Sequence, residues 1–501
     1  MANLSKSRFL SGLQCEKRLY YDVYQRELAT PPDASLQGVF DRGHAVGKLA
    51  HDLYSGGLDA SADIGVNWSL GIERTRKWLG QGVNTIYEAA FAFSGGYAAV
   101  DILHHQDGER HMVEVKSSTE VKPYVVKDAA YQYFVLKQAG FAPDKVFILH
   151  INKAYEKRGN IQAAEFFTLV DITPEVLALQ VMVQEKHVYF LEMLENKQAP
   201  IQDIGKHCRD PFLCPYYGHC SRHLPERHVF QLTRPMGKDW ALYAEGIFGL
   251  EDIPEDYALT PRQTQQVRGI KYGERVVEIE KIRGFLNTIQ EPIYFFDFET
   301  ISPVFPILDG THPFDQIPFQ YSCHETNLAG EIRSHGEYLN TPVDFQEGAT
   351  DPRRKLIQSL KSHLGSTGSI VVYYASFERS RLKELAQAFP EEADYINGLI
   401  ERLIDLIVPF QSGWYYEPAM QGSASLKYVL PAMAPEFSYS DLEIQNGGVA
   451  SDTFLRLVEG AFEGDTADTM SHLLKYCGRD TEGMVEVYKA LWRIVAGKEY
   501  E

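Results

Sequence analysis

Cysteine is scarce in this chain, with six among 501 residues. No apolar stretch approaches the ~18 residues of a membrane-spanning helix. Internal repeats and low-complexity tracts are missing too, which excludes repeat architectures. Basic charge is in deficit: Lys and Arg number 49 against 68 Asp and Glu, for a net charge of −19. That balance argues against a protein that coats nucleic acid non-specifically. It leaves room for a metal-dependent nuclease, whose carboxylates add to the acidic count. The N-terminal stretch MANLSKSRFLSGLQCEKRLYY is too polar for a secretion signal. The expectation is a cytoplasmic protein with no membrane partner, in which six cysteines are not disulfides.

A hydrophobic content of 44% and a charged content of 23% describe a globular chain. Its length exceeds one ordinary core, so two or three domains are expected. Residues 1–225 carry roughly −2 of the net charge and the remainder roughly −17. The first stretch reads as α/β. Helical patterns over 7–24, 40–54 and 71–79 precede strands within 90–117. A helix over 128–139, a strand over 145–151 and a helix over 173–196 follow. Residues 226–290 read as a helical connector. A second α/β unit covers 291–501, with strands at 293–299 and 370–374 and helices from Phe377 onward.

Asp107-Gly108 lies between two apolar runs and reads as a two-residue hairpin turn. Such a turn places Asp101 opposite Glu114, with Cβ atoms about 5 Å apart. Val100 then faces Val115 and Ile102 faces Val113, giving the hairpin an apolar underside. Lys116 shares the face of Glu114. Two facing carboxylates and a lysine suit a divalent metal and a phosphate.

A second acidic motif is Tyr294-Phe295-Phe296-Asp297-Phe298-Glu299. In a strand Asp297 and Glu299 share one face, and Phe296 and Phe298 the other. Acids in so apolar a strand are costly unless compensated, and a metal pair compensates them. Tyr476 and Asp480 are i, i+4 and share a helix face. Between them lie Glu378, on a helix capped by Ser376, and Asp405, which reads as a structural acid. Lys427 reads as a solvated lysine or a phosphate contact.

Cys208, Cys214 and Cys220 cluster in CRDPFLCPYYGHC, a loop suited to wrapping a metal centre. Cys15 is the candidate fourth ligand. Residue chemistry leaves Zn²⁺ and an iron–sulfur cluster both open, with His207 and His219 as further zinc donors. Cys323 and Cys477 read as small buried hydrophobes.

The Asp101, Glu114, Lys116 pattern, with His51 upstream and Gln132 downstream, resembles the PD-(D/E)XK nucleases. It is similar to the RecB-like branch that includes CRISPR-associated exonucleases. That resemblance implies Mg²⁺ or Mn²⁺ held by His51, Asp101, Glu114 and the Val115 carbonyl. His44 is a less favoured ligand. Lys116 would orient the attacking water, Gln132 would sit near the substrate backbone, and Glu88 would be a supporting acid. Leu136 departs from the family, which often has tyrosine there. The same resemblance favours a 4Fe-4S iron–sulfur cluster on Cys15, Cys208, Cys214 and Cys220, although the gap before Cys214 is longer than usual.

Asp297, Glu299, Tyr476 and Asp480 resemble the DnaQ-like (DEDD) exonucleases on an RNase H-like fold. Glu378 stands where that family has aspartate. The resemblance implies two Mg²⁺ ions on Asp297, Glu299, Glu378 and Asp480, with Tyr476 positioning the water. The order of modules also resembles a bacterial family joining a RecB-like nuclease to a DnaQ-like domain. The expected architecture is α/β: a restriction-endonuclease-like domain, a connector and an RNase H-like domain. The expected function is a two-site deoxyribonuclease, an exonuclease on single-stranded or free-ended DNA, with RNA as an alternative substrate. A single-site nuclease whose C-terminal domain only grips substrate stays open, as does a non-catalytic interaction protein.

Overall fold

The computed structural model describes residues 4–497 apart from 33, 64, 66, 347 and 438. It is a mixed α/β chain with sheets of seven, five and two strands. Among the described residues no helix is long and apolar enough to cross a membrane. Two compact units divide it: unit 1 is Met1–His223 with Val304–Phe314, and unit 2 is Leu224–Pro303 with Asp315–Glu501. The stretch 226–290, read as a connector, therefore belongs to unit 2. Val304–Phe314 joins unit 1 because Val304 is buried with Tyr155 and Phe166, and Phe305 packs beside them.

Unit 1 is built on β1 (Leu4–Ser5), β2 (Leu58–Asp59), β3 (Thr85–Phe93), β4 (Gly96–Gln106), β5 (Glu109–Lys116), β6 (Lys145–Ile151) and β7 (Phe167–Asp171). Their order is β2-β3-β4-β5-β6-β7, with β1 also on β4. The hairpin turn forms at Asp107 and Gly108, whose φ angles of 54° and 87° are both left-handed, as a two-residue turn between twisted strands requires. Pairing runs from Gln106↔Glu109 to Ile102↔Val113 and stops there. Val100 accordingly does not face Val115. It enters the core of Ala98 and Leu103, whereas Val115 packs with Ile102 and Val113. The phase slips at Asp101, whose carboxylate accepts the Val115 N–H at 2.7 Å. On the other side, β3 and β4 pair at Tyr87↔Ile102 and Ala89↔Val100 but skip Glu88 and Asp101. Glu88 there has a left-handed φ of 51°.

The helix expected over 7–24 is two helices, Lys6–Gln14 and Glu16–Tyr24, because Cys15 is extended at φ −162°, ψ 122°. The helix expected over 173–196 is likewise divided, into Thr173–Ala178 and Gln180–Glu195.

Unit 2 contains β8 (Val276–Val277), β9 (Ile293–Ile301), β10 (Ile317–Thr326), β11 (Ile332–Leu339), β12 (Ser369–Val372), β13 (Leu403–Asp405) and β14 (Tyr415–Tyr416). Its main sheet has the order β11-β10-β9-β12-β13. Strand β9 is central, antiparallel to β10 and parallel to β12. The expected alternation holds along β9. Phe296 and Phe298 enter one core, and Ile293 and Phe295 enter the other, with Val485 and Tyr488 of the helix Thr466–Val495.

Candidate functional site

Pairing of β9 with β12 ends at Phe295↔Val371. Asp297 and Glu299 thus lie past the end of β12, where the chain turns into the helix Ser376–Ala388 carrying Glu378 in its first turn. Open α/β sheets bind ligands at such carboxyl ends. Ser376 does not cap that helix; the N-cap is Ala375, without a side-chain cap bond. Asp405 takes over from β13: its carboxylate accepts the N–H groups of Tyr374 and Ala375, both at 2.9 Å, and of Ile407 at 3.2 Å. The first of these holds Tyr374 at a left-handed φ of 77°. Replacing Asp405 by alanine removes three bonds to a charged acceptor and is expected to cost about 2 kcal/mol of stability in denaturant unfolding.

Asp297, Glu299, Glu378 and Asp480 meet in one cluster, Glu299 and Glu378 buried and Asp297 and Asp480 half-buried. Burial first, then Asp480, Glu378 and Glu299, drive the Asp297 pKa well above the usual carboxylate range. Burial and the charges of Asp480 and Glu378 raise Glu299 to about 8. Burial raises Glu378 to about 7, and raises Asp480 to about 6 against hydrogen bonds from Tyr439 and Tyr476. The carboxyls of Asp297 and Glu378 act directly on each other's pKa. Glutamate at 378 therefore reaches the cluster, and its Oε2 is buried without a hydrogen-bond partner. None of the four acids has a lysine or arginine ion-pair partner among the described residues. Lys427 lies further off, its charge felt by Glu299 and Asp480 while Nζ donates to the Gln445 carbonyl at 3.4 Å. A buried, uncompensated set of carboxylates fits divalent metal.

Two members escaped the sequence reading. Tyr439 donates to Asp480 Oδ1 at 2.6 Å, and no spacing rule links positions 41 residues apart. Cys477, read as a plain core residue, has its sulfur within 4.8 Å of ligand oxygens of both Asp297 and Glu299. Burial and the neighbouring acids push its thiol pKa well up, so it stays protonated beside oxygen ligands suited to hard cations.

Unit 1 holds a different kind of cluster. The carboxylates of Asp101 and Glu114 are adjacent, but a lysine stands with them. Lys6 Nζ is 3.0 Å from Glu114 Oε1 and 3.5 Å from Asp101 Oδ1. Lys116 Nζ lies 2.6 Å from the same Glu114 oxygen and 2.9 Å from Asp128 Oδ2. Gln132, expected to face substrate, is fully buried and donates to Glu114 Oε2 at 2.8 Å. Burial works against ionisation of Glu114, yet Lys116 and Lys6 overcome it and hold its pKa well below the usual range. Burial and the Glu114 charge raise Asp101 to about 6. Burial and the Asp101 charge raise Glu88 to about 7.

Among the described residues no hydrogen bond or ion pair joins the His51 side chain to this pair. Its ring stacks on Tyr87 at 3.6 Å, and the acids that act on it are Asp59 and Asp52. Val115 contributes its N–H to Asp101. Leu136 is core and His44 is exposed. Three of the four oxygens of Asp101 and Glu114 accept protein donors and the fourth faces Lys6 at 3.5 Å, so the pair as arranged carries protein cations where a metal ion would bind. Lys6 and Asp128 were missed in the sequence because Lys6 is 108 residues from Glu114 and reaches it only through the fold.

The four cysteines converge. Burial raises the pKa of Cys15, with Cys208 and Cys220 adding to it, and raises Cys214 to about 11, with Cys15 and Cys208 adding to it. The loop is fastened to the N-terminal helices: Gln14 Nε2 donates to the carbonyls of His207 and Phe212, each at 2.7 Å, and Tyr216 donates to Asp22 at 2.8 Å. Among the described residues, the only three His, Cys, Asp or Glu ligands all within 4.8 Å of one another are Asp297, Glu299 and Cys477. No three of the described cysteine sulfurs therefore lie mutually within 4.8 Å. Cys323 is a buried member of an apolar core, as expected.

Residues 294–425 match a family described as a domain of unknown function, DUF2779. The match takes in Asp297, Glu299, Glu378 and Asp405, and ends before Tyr439, Tyr476 and Asp480. The chain is 30% identical over 220 residues to an uncharacterized protein of Mycoplasma pneumoniae, the MG366 homolog, covering 41% of this chain and 33% of that one. It is 27% identical over 219 residues to uncharacterized protein MG366 of Mycoplasma genitalium, with the same coverage of 41% and 33%. Uncharacterized protein UU173 of Ureaplasma parvum is 28% identical over 210 residues, covering 38% of this chain and 30% of that one. The similarity thus spans about a third of the length of these relatives.

Proposed function

We propose that this protein is a metal-dependent nuclease whose phosphodiester hydrolysis runs at the carboxylate cluster of unit 2. One observation carries the proposal: Asp297, Glu299, Glu378 and Asp480 lie together with raised pKa values, all four through burial and the first two also through their acidic neighbours, and lack any ion-pair partner among the described residues. Mg²⁺ or Mn²⁺, when bound, supplies the missing positive charge, activates water and stabilises the leaving oxygen. Asp297 and Glu299 hold it from β9, Glu378 from the first turn of its helix, and Asp480 from the helix opposite. Tyr476 and Tyr439 fix Asp480 by hydrogen bonds, and Tyr476 positions the attacking water. Gly447 brings backbone against the site: a Cβ there would lie 3.5 Å from Glu299 Oε2 and 3.9 Å from the Tyr476 hydroxyl.

The central acid-bearing strand, with antiparallel neighbours on one side and parallel ones on the other, supports an RNase H-like fold for unit 2. Asp101 and Glu114 on adjacent strands support a restriction-endonuclease-like fold for unit 1. The substrate is DNA, in a cytoplasmic setting. Purified protein with Mg²⁺ or Mn²⁺ is expected to degrade end-labelled single-stranded DNA. Failure to cleave DNA or RNA with either metal would reject the proposal.

Cys15, Cys208, Cys214 and Cys220 hold an iron–sulfur cluster of the 4Fe-4S type that closes unit 1. The convergence of the four cysteines and the fastening of their loop to the N-terminal helices support it. The protein is expected to be brown, with visible absorption lost in Cys214→Ser. A colourless protein carrying one zinc per chain by elemental analysis would refute the cluster.

A further inference from the structure

We infer that Lys6 is the resident cation of the Asp101–Glu114 pair, so that a divalent metal enters unit 1 only by displacing the Lys6 ammonium. The inference rests on reading that pair as a metal site.

The lysine is placed there by structure on both sides. Leu4 and Ser5 pair with Gly96 and Tyr97 on β4. Strand β3 occupies the opposite edge of β4 over its whole length, so β1 and β5 share one edge. Pairing with β5 ends at Ile102, and Lys6 leaves β1 into the gap between. The Leu4 carbonyl accepts the Tyr131 hydroxyl at 2.6 Å. Phe9, one turn further, stacks on the Tyr131 ring at 4.2 Å. A lysine as first residue of a helix opposes the helix dipole; here it faces two carboxylates that outweigh the dipole.

The donor geometry sets the competition. Glu114 Oε1 receives Lys6 and Lys116, Glu114 Oε2 receives Gln132, Asp101 Oδ2 receives the Val115 N–H, and Asp101 Oδ1 faces Lys6 at 3.5 Å. Lys116 has a second partner in Asp128, whereas Lys6 bridges only the pair itself. Lys6 is thus the cation whose departure frees Asp101 Oδ1 and leaves Lys116 as the one donor on Glu114 Oε1. Its side chain is 27% exposed.

The test uses the full chain carrying Asp297→Asn and Asp480→Asn, so that unit 2 contributes no binding, titrated with Mn²⁺ and followed by electron paramagnetic resonance. Adding Lys6→Met is expected to tighten Mn²⁺ binding by about tenfold or more. Adding Glu114→Ala instead is expected to abolish binding, leaving the signal of free Mn²⁺ unattenuated. In the protein that retains Lys6, saturating Mn²⁺ is expected to increase acylation of Lys6 by an amine-reactive reagent, read by peptide mass spectrometry; this arm decides the matter if Lys6→Met does not fold. Equal Mn²⁺ affinity with and without Lys6, or unchanged Lys6 acylation on saturation, overturns the inference while leaving the pair a metal site. Binding that is absent in both proteins, or indifferent to Glu114→Ala, overturns the inference together with the reading of the pair, and leaves the unit 2 proposal to its own assay.

Discussion

Asp297→Asn is expected to reduce Mg²⁺-dependent cleavage of single-stranded DNA by about 10³-fold or more, with the fold intact by circular dichroism. The size of the effect follows from where the charge sits. Asp297 is the acid on which all three others act, and with burial they hold its pKa well above the usual carboxylate range. An amide at 297 keeps the volume and can still hydrogen-bond to Glu378, so the strand does not lose its packing. It cannot supply the anionic oxygen a divalent ion requires. Asp480→Asn should behave alike. A Tyr476→Phe variant should lose far less, because Tyr439 still holds Asp480. A rate for Asp297→Asn within a few fold of the wild type would contradict this assignment.

The second large effect is on stability, and its sign is set by the raised pKa values. Glu299, Glu378 and Asp480 titrate near 8, 7 and 6 in the folded protein, and near ordinary carboxylate values when unfolded. Between about pH 4 and pH 8 the folded state therefore binds protons that the unfolded state has released. Metal-free stability falls as pH rises across that window. Divalent metal needs the deprotonated carboxylates, so its stabilising effect grows over the same range. At a free Mg²⁺ concentration of about 100 Kd, one site adds about 2.7 kcal/mol, or roughly 5–10 °C in the melting of a unit this size. Scanning calorimetry with Mg²⁺ and with EDTA at pH 5 and pH 8 checks both trends. A Mg²⁺ shift as large at pH 5 as at pH 8 would contradict them.

Much of the unit 2 site was legible because its signals are local. Alternation along Ile293–Ile301 put Asp297 and Glu299 on one face, and a helical period joined Tyr476 to Asp480. The unit 1 hairpin was legible for the same reason: a left-handed Asp-Gly turn sets the register up to Ile102↔Val113. What failed there was non-local. Asp101 turns its carboxylate onto a backbone N–H of β5, which ends the ladder and sends Val100 to another core. Lys6 arrives through a two-residue strand pairing that no periodicity announces. His51 was placed by motif, and the aromatic face of Tyr87 holds it elsewhere. Cys15 was identified as a ligand from composition, but the break it makes in the first helix was not, since the flanking residues all favour helix. The result shifts the weight between the sites. The pair that looked like the stronger metal centre carries its own cation, and the cluster with an atypical glutamate is the one that lacks an ion-pair partner among the described residues.

A single gel separates these assignments: wild type, Glu114→Ala and Glu299→Gln, each with Mg²⁺ on the same end-labelled strand. Wild type and Glu114→Ala are expected to shorten the strand, and Glu299→Gln to leave it intact. Full cleavage by Glu299→Gln would contradict a catalytic role for the unit 2 carboxylates.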